Sequence, residues 1–196
     1  MNPGKYKPET PPASRRIPKV VFHPRYGDEV VSTSSKATPA EIQASYKSVY
    51  ALEIFTESAI HADLRKQNHE WIDAQQYYAD ILLRCPKCRR RFIFFAREQQ
   101  FWHEELKIHI SVKAKYCWEC AEKNRTVKAA YARYQEFATL AEPDDERLLQ
   151  HATDLVVLYQ AGRLKKFDRL GELKNKLAQR KIAKDKWSGL AELVGR

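Results

Sequence analysis

The sequence predicts an α+β protein: a small module of short β-hairpins and one helix, stapled by four cysteines, is flanked by α-helices and followed by a carboxy-terminal helical pair. Three observations predict it. All four cysteines, Cys85, Cys88, Cys117 and Cys120, fall into two C-x-x-C pairs with none left over. Short apolar runs of strand character surround the first pair, whereas apolar residues recur every three or four positions in the last third of the chain. Finally, 196 residues carrying 31% charge and a net charge of +10 describe a wet, basic surface with limited core, which suits a stapled centre with helical extensions.

Residues 1–18 carry Pro3, Pro8, Pro11, Pro12 and Pro18 among polar residues, too little apolar surface to offset the entropy of ordering, and read as a disordered tail. Lys19-Val20-Val21-Phe22 and Glu29-Val30-Val31 flank the turn-rich His23-Pro24-Arg25-Tyr26-Gly27-Asp28, the pattern of a short hairpin. Thr38-Pro39-Ala40-Glu41 is a helix start, because Thr38 can cap, Pro39 needs no N–H there, and Glu41 can close a capping box. Ile42, Tyr46 and Val49, with Glu53 at the end of the run, share one face of that helix.

Tyr77 to Arg84 reads as a strand leading into the first cysteine pair, and Phe92-Ile93-Phe94-Phe95 as a strand leading out, so the pair forms the tip of a hairpin. A short helix is expected over Ala96 to Leu106. Ile108, Ile110 and Val112 then alternate with polar residues from Lys107 to Lys113, the period of a half-buried strand delivering the chain to Cys117. Ala121 to Leu140 contains no helix breaker. Pro143-Asp144-Asp145-Glu146 opens a further helix with acids at its positive end, which Gly162 terminates. Leu164, Phe167, Leu170, Leu173 and Leu177 are the apolar stripe of a final basic helix, and no internal repeat is visible. These elements divide the chain into a tail (1–18), an amino-terminal extension with hairpin and helix (19–76), the four-cysteine module with its exit helix (77–140) and a basic helical pair (141–196).

No apolar run follows the basic residues of Met1 to Lys19 and none elsewhere suits a bilayer, so a soluble cytoplasmic protein is expected. In that reducing setting two C-x-x-C pairs point to metal rather than to disulfides. Four thiolates suit one tetrahedral Zn2+ with every position filled by protein, which makes the site structural. Rubredoxin-like iron is the rival, but Arg89 and Ala121 stand where rubredoxins place glycine, and the surroundings are cationic. Lys87, Arg89, Arg90, Arg91, Lys113 and Lys115 lie near the cysteines in sequence; they either compensate the thiolate charge or contact nucleic acid.

Asp80, Cys85-Pro86-Lys87-Cys88, Phe92, Phe94, Ala96, Glu98-Gln99-Gln100-Phe101-Trp102 and Cys117-Trp118-Glu119-Cys120 together resemble a zinc-ribbon (treble-clef-type) domain family of bacterial proteins. Glu57 to Asp63, Lys66-Gln67-Asn68 and Tyr77-Tyr78 resemble the segment preceding the cysteines in that family, so the likeness spans residues 57 to 122. The resemblance implies a zinc module and brings no activity with it. Arg89 is a departure, since members often carry glycine after the second cysteine.

Three functions follow as expectations. The first is a non-catalytic zinc module binding RNA or DNA through basic residues interleaved with Tyr77, Tyr78, Phe92, Phe94, Trp102, Tyr116 and Trp118. The alternative is a protein-interaction adaptor that uses the zinc module and the carboxy-terminal helices. The third, an HNH-type nuclease, is poorly supplied: His103-Glu104 and His109 are present, but no asparagine lies between the cysteine pairs. A small-molecule substrate is not expected.

Overall fold

A computed structural model describes residues 13–46, 51–164 and 168–194, which fall into two compact units, Met1–Cys120 and Ala121–Arg196. The break between them falls near the start of a helix, α3 (Trp118–Phe137), whose first turn carries Trp118, Glu119 and Cys120.

In the first unit β4 (Tyr77–Arg84) is the middle strand of an antiparallel sheet, between β3 (Glu53–His61) and β5 (Arg91–Phe94). Ala79, Ile81 and Leu83 pack with Phe92, Phe94 and three of the cysteines on one side, while Leu82 packs with Phe55 and Ile93 on the other. A strand buried on both faces explains the nearly continuous apolar run of its sequence. The strand β3 was not foreseen. Its ladder to β4 is interrupted between Phe55 and Ile60, where Ser58 Oγ donates to the Phe55 carbonyl and accepts from the Asp80 N–H, both at 2.8 Å. The polar Thr56-Glu57-Ser58 at this bulge hides the period of two.

The amino-terminal hairpin is present with a different partner. β2 (Glu29–Val31) pairs with β1 (Ser14–Arg16) instead of with residues 19–22, so residues 14–16 are strand where a tail was expected; residues 1–12 lie outside the described ones. Pro18 and Lys19, the latter at φ 60°, turn the chain away. Val20 then bridges Arg91, and the Val21 N–H donates to the Arg91 carbonyl at 2.8 Å, which extends the central sheet. The expected turn survives as His23 and Gly27 exchanging backbone bonds, with Gly27 at φ 82°.

The capping box of Thr38 and Glu41 is present in α1 (Pro39–Ala44), and Ile42 and Tyr46 are buried. The helix stops before Val49, which lies outside the described residues, and Glu53 belongs to β3. After β5 come α2 (Ala96–Gln100) and a π-helical turn, Phe101–Glu105. The strand expected over Lys107 to Lys113 is absent. The segment folds as turns instead: the N–H groups of Ile108, Ile110 and Val112 donate to the carbonyls of Trp102, Asn68 and His109, so these donors are not available to a strand ladder.

In the second unit α4 (Asp145–Gln160), capped by Asp144, packs against α5 (Asp168–Gln179) through Leu148, Ala152, Leu155, Leu170, Leu173 and Leu177. Gly162 at φ 68° and the bond from the Arg163 N–H to the Leu158 carbonyl close α4. Phe167 lies outside the described residues. The expected pair gains a third member, α6 (Ser188–Val194), whose Leu190 enters the same core together with Trp187 from the 3-10 turn Lys184–Trp187 before it. Among the described residues no helix is long and apolar enough to cross a membrane.

Candidate metal centre

The β4–β5 hairpin closes at the register pair Arg84 and Arg91, and the turn between them carries Cys85 and Cys88. The Cys85 N–H donates to the Arg90 carbonyl and the Arg89 N–H to the Cys85 carbonyl, each at 2.9 Å, so the backbone folds tightly under the two sulfurs. Arg89 takes φ 64°, a left-handed conformation that favours glycine. The second pair comes from a different local structure. Cys117 immediately precedes α3 and Cys120 lies in its first turn, three residues on, so both thiols point from one helix end.

These two pieces bring the four Sγ atoms within 4.8 Å of one another, with Cys88 and Cys117 sulfurs 3.7 Å apart. A disulfide requires about 2.05 Å. A tetrahedral zinc with bonds of about 2.3 Å spaces its sulfurs by about 3.8 Å, and the observed separation matches. Cys85, Cys117 and Cys120 are buried and Cys88 is half-buried. Residues 79–128 match the family model of a probable treble clef domain. No curated protein and no solved structure was found to match.

The treble clef architecture accounts for the spacing that sequence alone left open. A knuckle on a hairpin tip supplies two thiols and the start of the following helix supplies two more, and the long interval between them is taken up by β5, α2, the π-turn and the loop to Cys117. The four cysteines fit one structural zinc ion.

The thiols do not ionise independently. Burial opposes ionisation of Cys85, but N–H groups of Cys88, Cys117 and Lys87 outweigh it and draw the thiol down to about 6. Burial pushes Cys117 up to about 12 and raises Cys120, and the sulfurs of Cys85 and Cys88 add to both shifts. A divalent cation resolves this conflict because it favours all four thiolates together.

Residues inside the matched segment also build the scaffold. Asp80 Oδ1 accepts the Ala96 N–H at 2.7 Å, satisfying the first donor of α2. The Gln99 amide donates to the Ala79 and Phe94 carbonyls and accepts the Tyr46 hydroxyl. Burial holds Asp80 up at about 7, and does the same for Glu98. Packing and capping therefore account for the Glu98-Gln99-Gln100 group.

The six basic residues singled out from the sequence separate into two groups. Lys113 is half-buried: it donates to Gln75 Oε1 at 2.9 Å, lies over the Tyr46 ring, and burial lowers its pKa to about 8. Arg91 donates to the Pro18 carbonyl at 2.8 Å and holds the amino-terminal segment. Arg90 pairs with Glu119 and bonds Cys88, joining the knuckle to α3. Lys87, Arg89 and Lys115 remain on the exposed surface, Lys115 beside the ring of Tyr116. Among the aromatic residues, Tyr78, Phe92 and Phe94 are core, and Trp118 is 38% exposed.

His103 is fully buried, its Nδ1 donating to the Ile108 carbonyl at 2.9 Å, and burial depresses its pKa to about 4. Glu104 accepts the Asp63 N–H and the Gln100 amide. That geometry removes His103 as a solvent-accessible base. Two features escaped sequence reasoning. His23 is buried among Tyr26, Phe95 and Trp118, fastening the amino-terminal turn beside the second cysteine pair, and Trp71 is 98% exposed at φ 72°. The turn residues around His23 were a usable signal; a lone tryptophan was not.

Proposed function

We propose that the zinc-stapled treble clef is a non-catalytic platform that binds nucleic acid through its cationic knuckle. One observation carries this reading. The segment Arg84 to Arg91 holds five cations and no acid, and Arg84, Lys87, Arg89 and Arg90 are exposed. Four thiolates on one Zn2+ leave a charge of about −2, and Glu119 contributes one more negative charge. The knuckle thus carries more positive charge than its own site neutralises, a surplus that suits phosphates. Trp118 and the Lys115–Tyr116 pair add aromatic surface able to stack on unpaired bases.

All four coordination positions being taken by protein supports a structural rather than a catalytic metal. The test is titration of zinc-loaded protein with single-stranded and duplex RNA and DNA at two salt concentrations. Binding should weaken steeply with salt, and Lys87→Gln with Arg89→Gln should reduce the slope of log K against log salt by about 1 to 2. Absence of binding at low salt overturns the reading.

A further inference from the structure

Trp71 occupies a position that packing does not explain. Its loop is closed by the Gln67 side chain, whose amide donates to the Gln75 carbonyl at 2.7 Å and accepts the Gln75 N–H at 2.9 Å. The Ile110 N–H donates to the Asn68 carbonyl and His109 Nε2 bonds the Glu70 carbonyl, each at 3.0 Å, tying the loop to residues 107–110. Within this fixed frame the Ile72 N–H turns back to the His69 carbonyl, and Trp71 stands at φ 72° with 98% of its surface in water. A bulky side chain at positive φ is a genuine outlier, and a pre-ordered exposed indole has the character of a binding anchor.

The surroundings of the indole select against phosphate. Glu70 and Asp73 flank it, both exposed, and Ile72 beside it is 45% exposed. A complementary partner offers an apolar slot with a basic rim. The second unit contains one: a cleft of about 350 Å³ walled by Tyr134, Phe137, Leu148 and Leu173. Among its described lining residues Arg169 and Lys176 stand against one acid, Glu172, and Arg169 donates to the Tyr134 hydroxyl.

We propose that the Trp71 loop of one copy of this chain docks into the Tyr134–Leu173 cleft of a second copy, so that the protein self-associates through an indole anchor framed by charge pairs. Loop and cleft are different surfaces, so the contact either closes reciprocally between two copies or propagates as an open chain. This contact is independent of nucleic-acid binding.

Sedimentation velocity on the full zinc-loaded chain, from about 1 to about 100 μM, reads the equilibrium. Wild type should sediment faster as concentration rises, and added salt should weaken the effect. Trp71→Ala should move the midpoint to at least about tenfold higher concentration, with Trp71→Phe between the two. Lys176→Glu should match Trp71→Ala, and mixing Lys176→Glu with Glu70→Lys should restore association. A wild type that stays monomeric throughout, or a Trp71→Ala chain that associates like wild type, overturns the proposal. So does a monomeric wild type whose tryptophan emission is quenched by short single-stranded RNA when that quenching is lost in Trp71→Ala, which would make a nucleobase the occupant.

Discussion

The sulfurs of Cys88 and Cys117 stand 3.7 Å apart although 29 positions separate them along the chain. Everything between those positions, the returning strand, α2 and its π-turn, serves as the arm that brings a helix end to a hairpin tip. Changing Cys88 to serine should therefore release zinc and unfold the first unit, because structural zinc contributes about 10 to 16 kcal/mol of apparent folding free energy in small modules. Elemental analysis with a thermal melt checks this, and a retained cooperative transition at full zinc content would contradict it.

Arg89 stands at φ 64° in the knuckle. Arg89→Gly should stabilise the zinc-bound protein by about 0.5 to 1 kcal/mol, since glycine reaches that conformation without strain although it adds freedom to the unfolded chain. Arg89→Val should be worse than wild type because a β-branched side chain fits positive φ poorly. Denaturant midpoints at a fixed free-zinc concentration separate the three chains.

Arg133 and Asp154 join α3 to α4 in the second unit through two-pronged hydrogen bonds of 2.6 to 3.2 Å. The carboxylate is almost wholly buried whereas the guanidinium is 45% exposed. Arg133→Ala strands a buried charge with Gln150 as its remaining side-chain donor, and should cost about 2 to 3 kcal/mol. Asp154→Asn leaves an arginine that water can solvate and should cost less. Equal losses in urea denaturation would show that the pair's burial is not what matters.

Asp80 gives the protein a pH dependence of known sign. Its folded pKa, raised to about 7 by burial, lies above the ordinary aspartate value of 3.8. Its contribution is fully present below the unfolded value and is lost as pH rises through the folded one, so stability falls between about pH 4 and 7. Asp80→Asn keeps an acceptor for the Ala96 N–H and should flatten that slope. A slope unchanged by the substitution in urea titrations across this range would sink the assignment.

His103 acts in the opposite direction. Its folded pKa of about 4 lies below the ordinary 6.5, so its contribution is present above pH 6.5 and is lost as pH falls towards 4. His103→Gln should remove that acid-side loss while disturbing the bond to the Ile108 carbonyl. NMR titration of the imidazole should find no protonation near pH 6, and a midpoint there would contradict its burial.

Much of the candidate site was legible because its signals are local. Two C-x-x-C pairs identify four soft ligands, Thr38 and Glu41 form the capping box that their spacing allows, and β4 runs from Tyr77 to Arg84 where its apolar run does. What stayed hidden depends on distant partners. The bulge at Ser58 disguised β3, and Ser14–Arg16 became a strand only because β2 offered its edge. Lys107 to Lys113 alternates like a strand, but its backbone donors were already claimed by Trp102 and Asn68.

The sequence alone determined the chemistry of the metal centre, since thiolate number and paired spacing are properties of residue type and need no fold to be read. Only the tertiary structure decided which cations face solvent. Lys113 and Lys115 are two positions apart and indistinguishable by charge, yet one is held by Gln75 inside the first unit and the other is exposed. Burial of a long cationic side chain depends on an acceptor supplied from 38 positions away, and no local pattern encodes such a meeting.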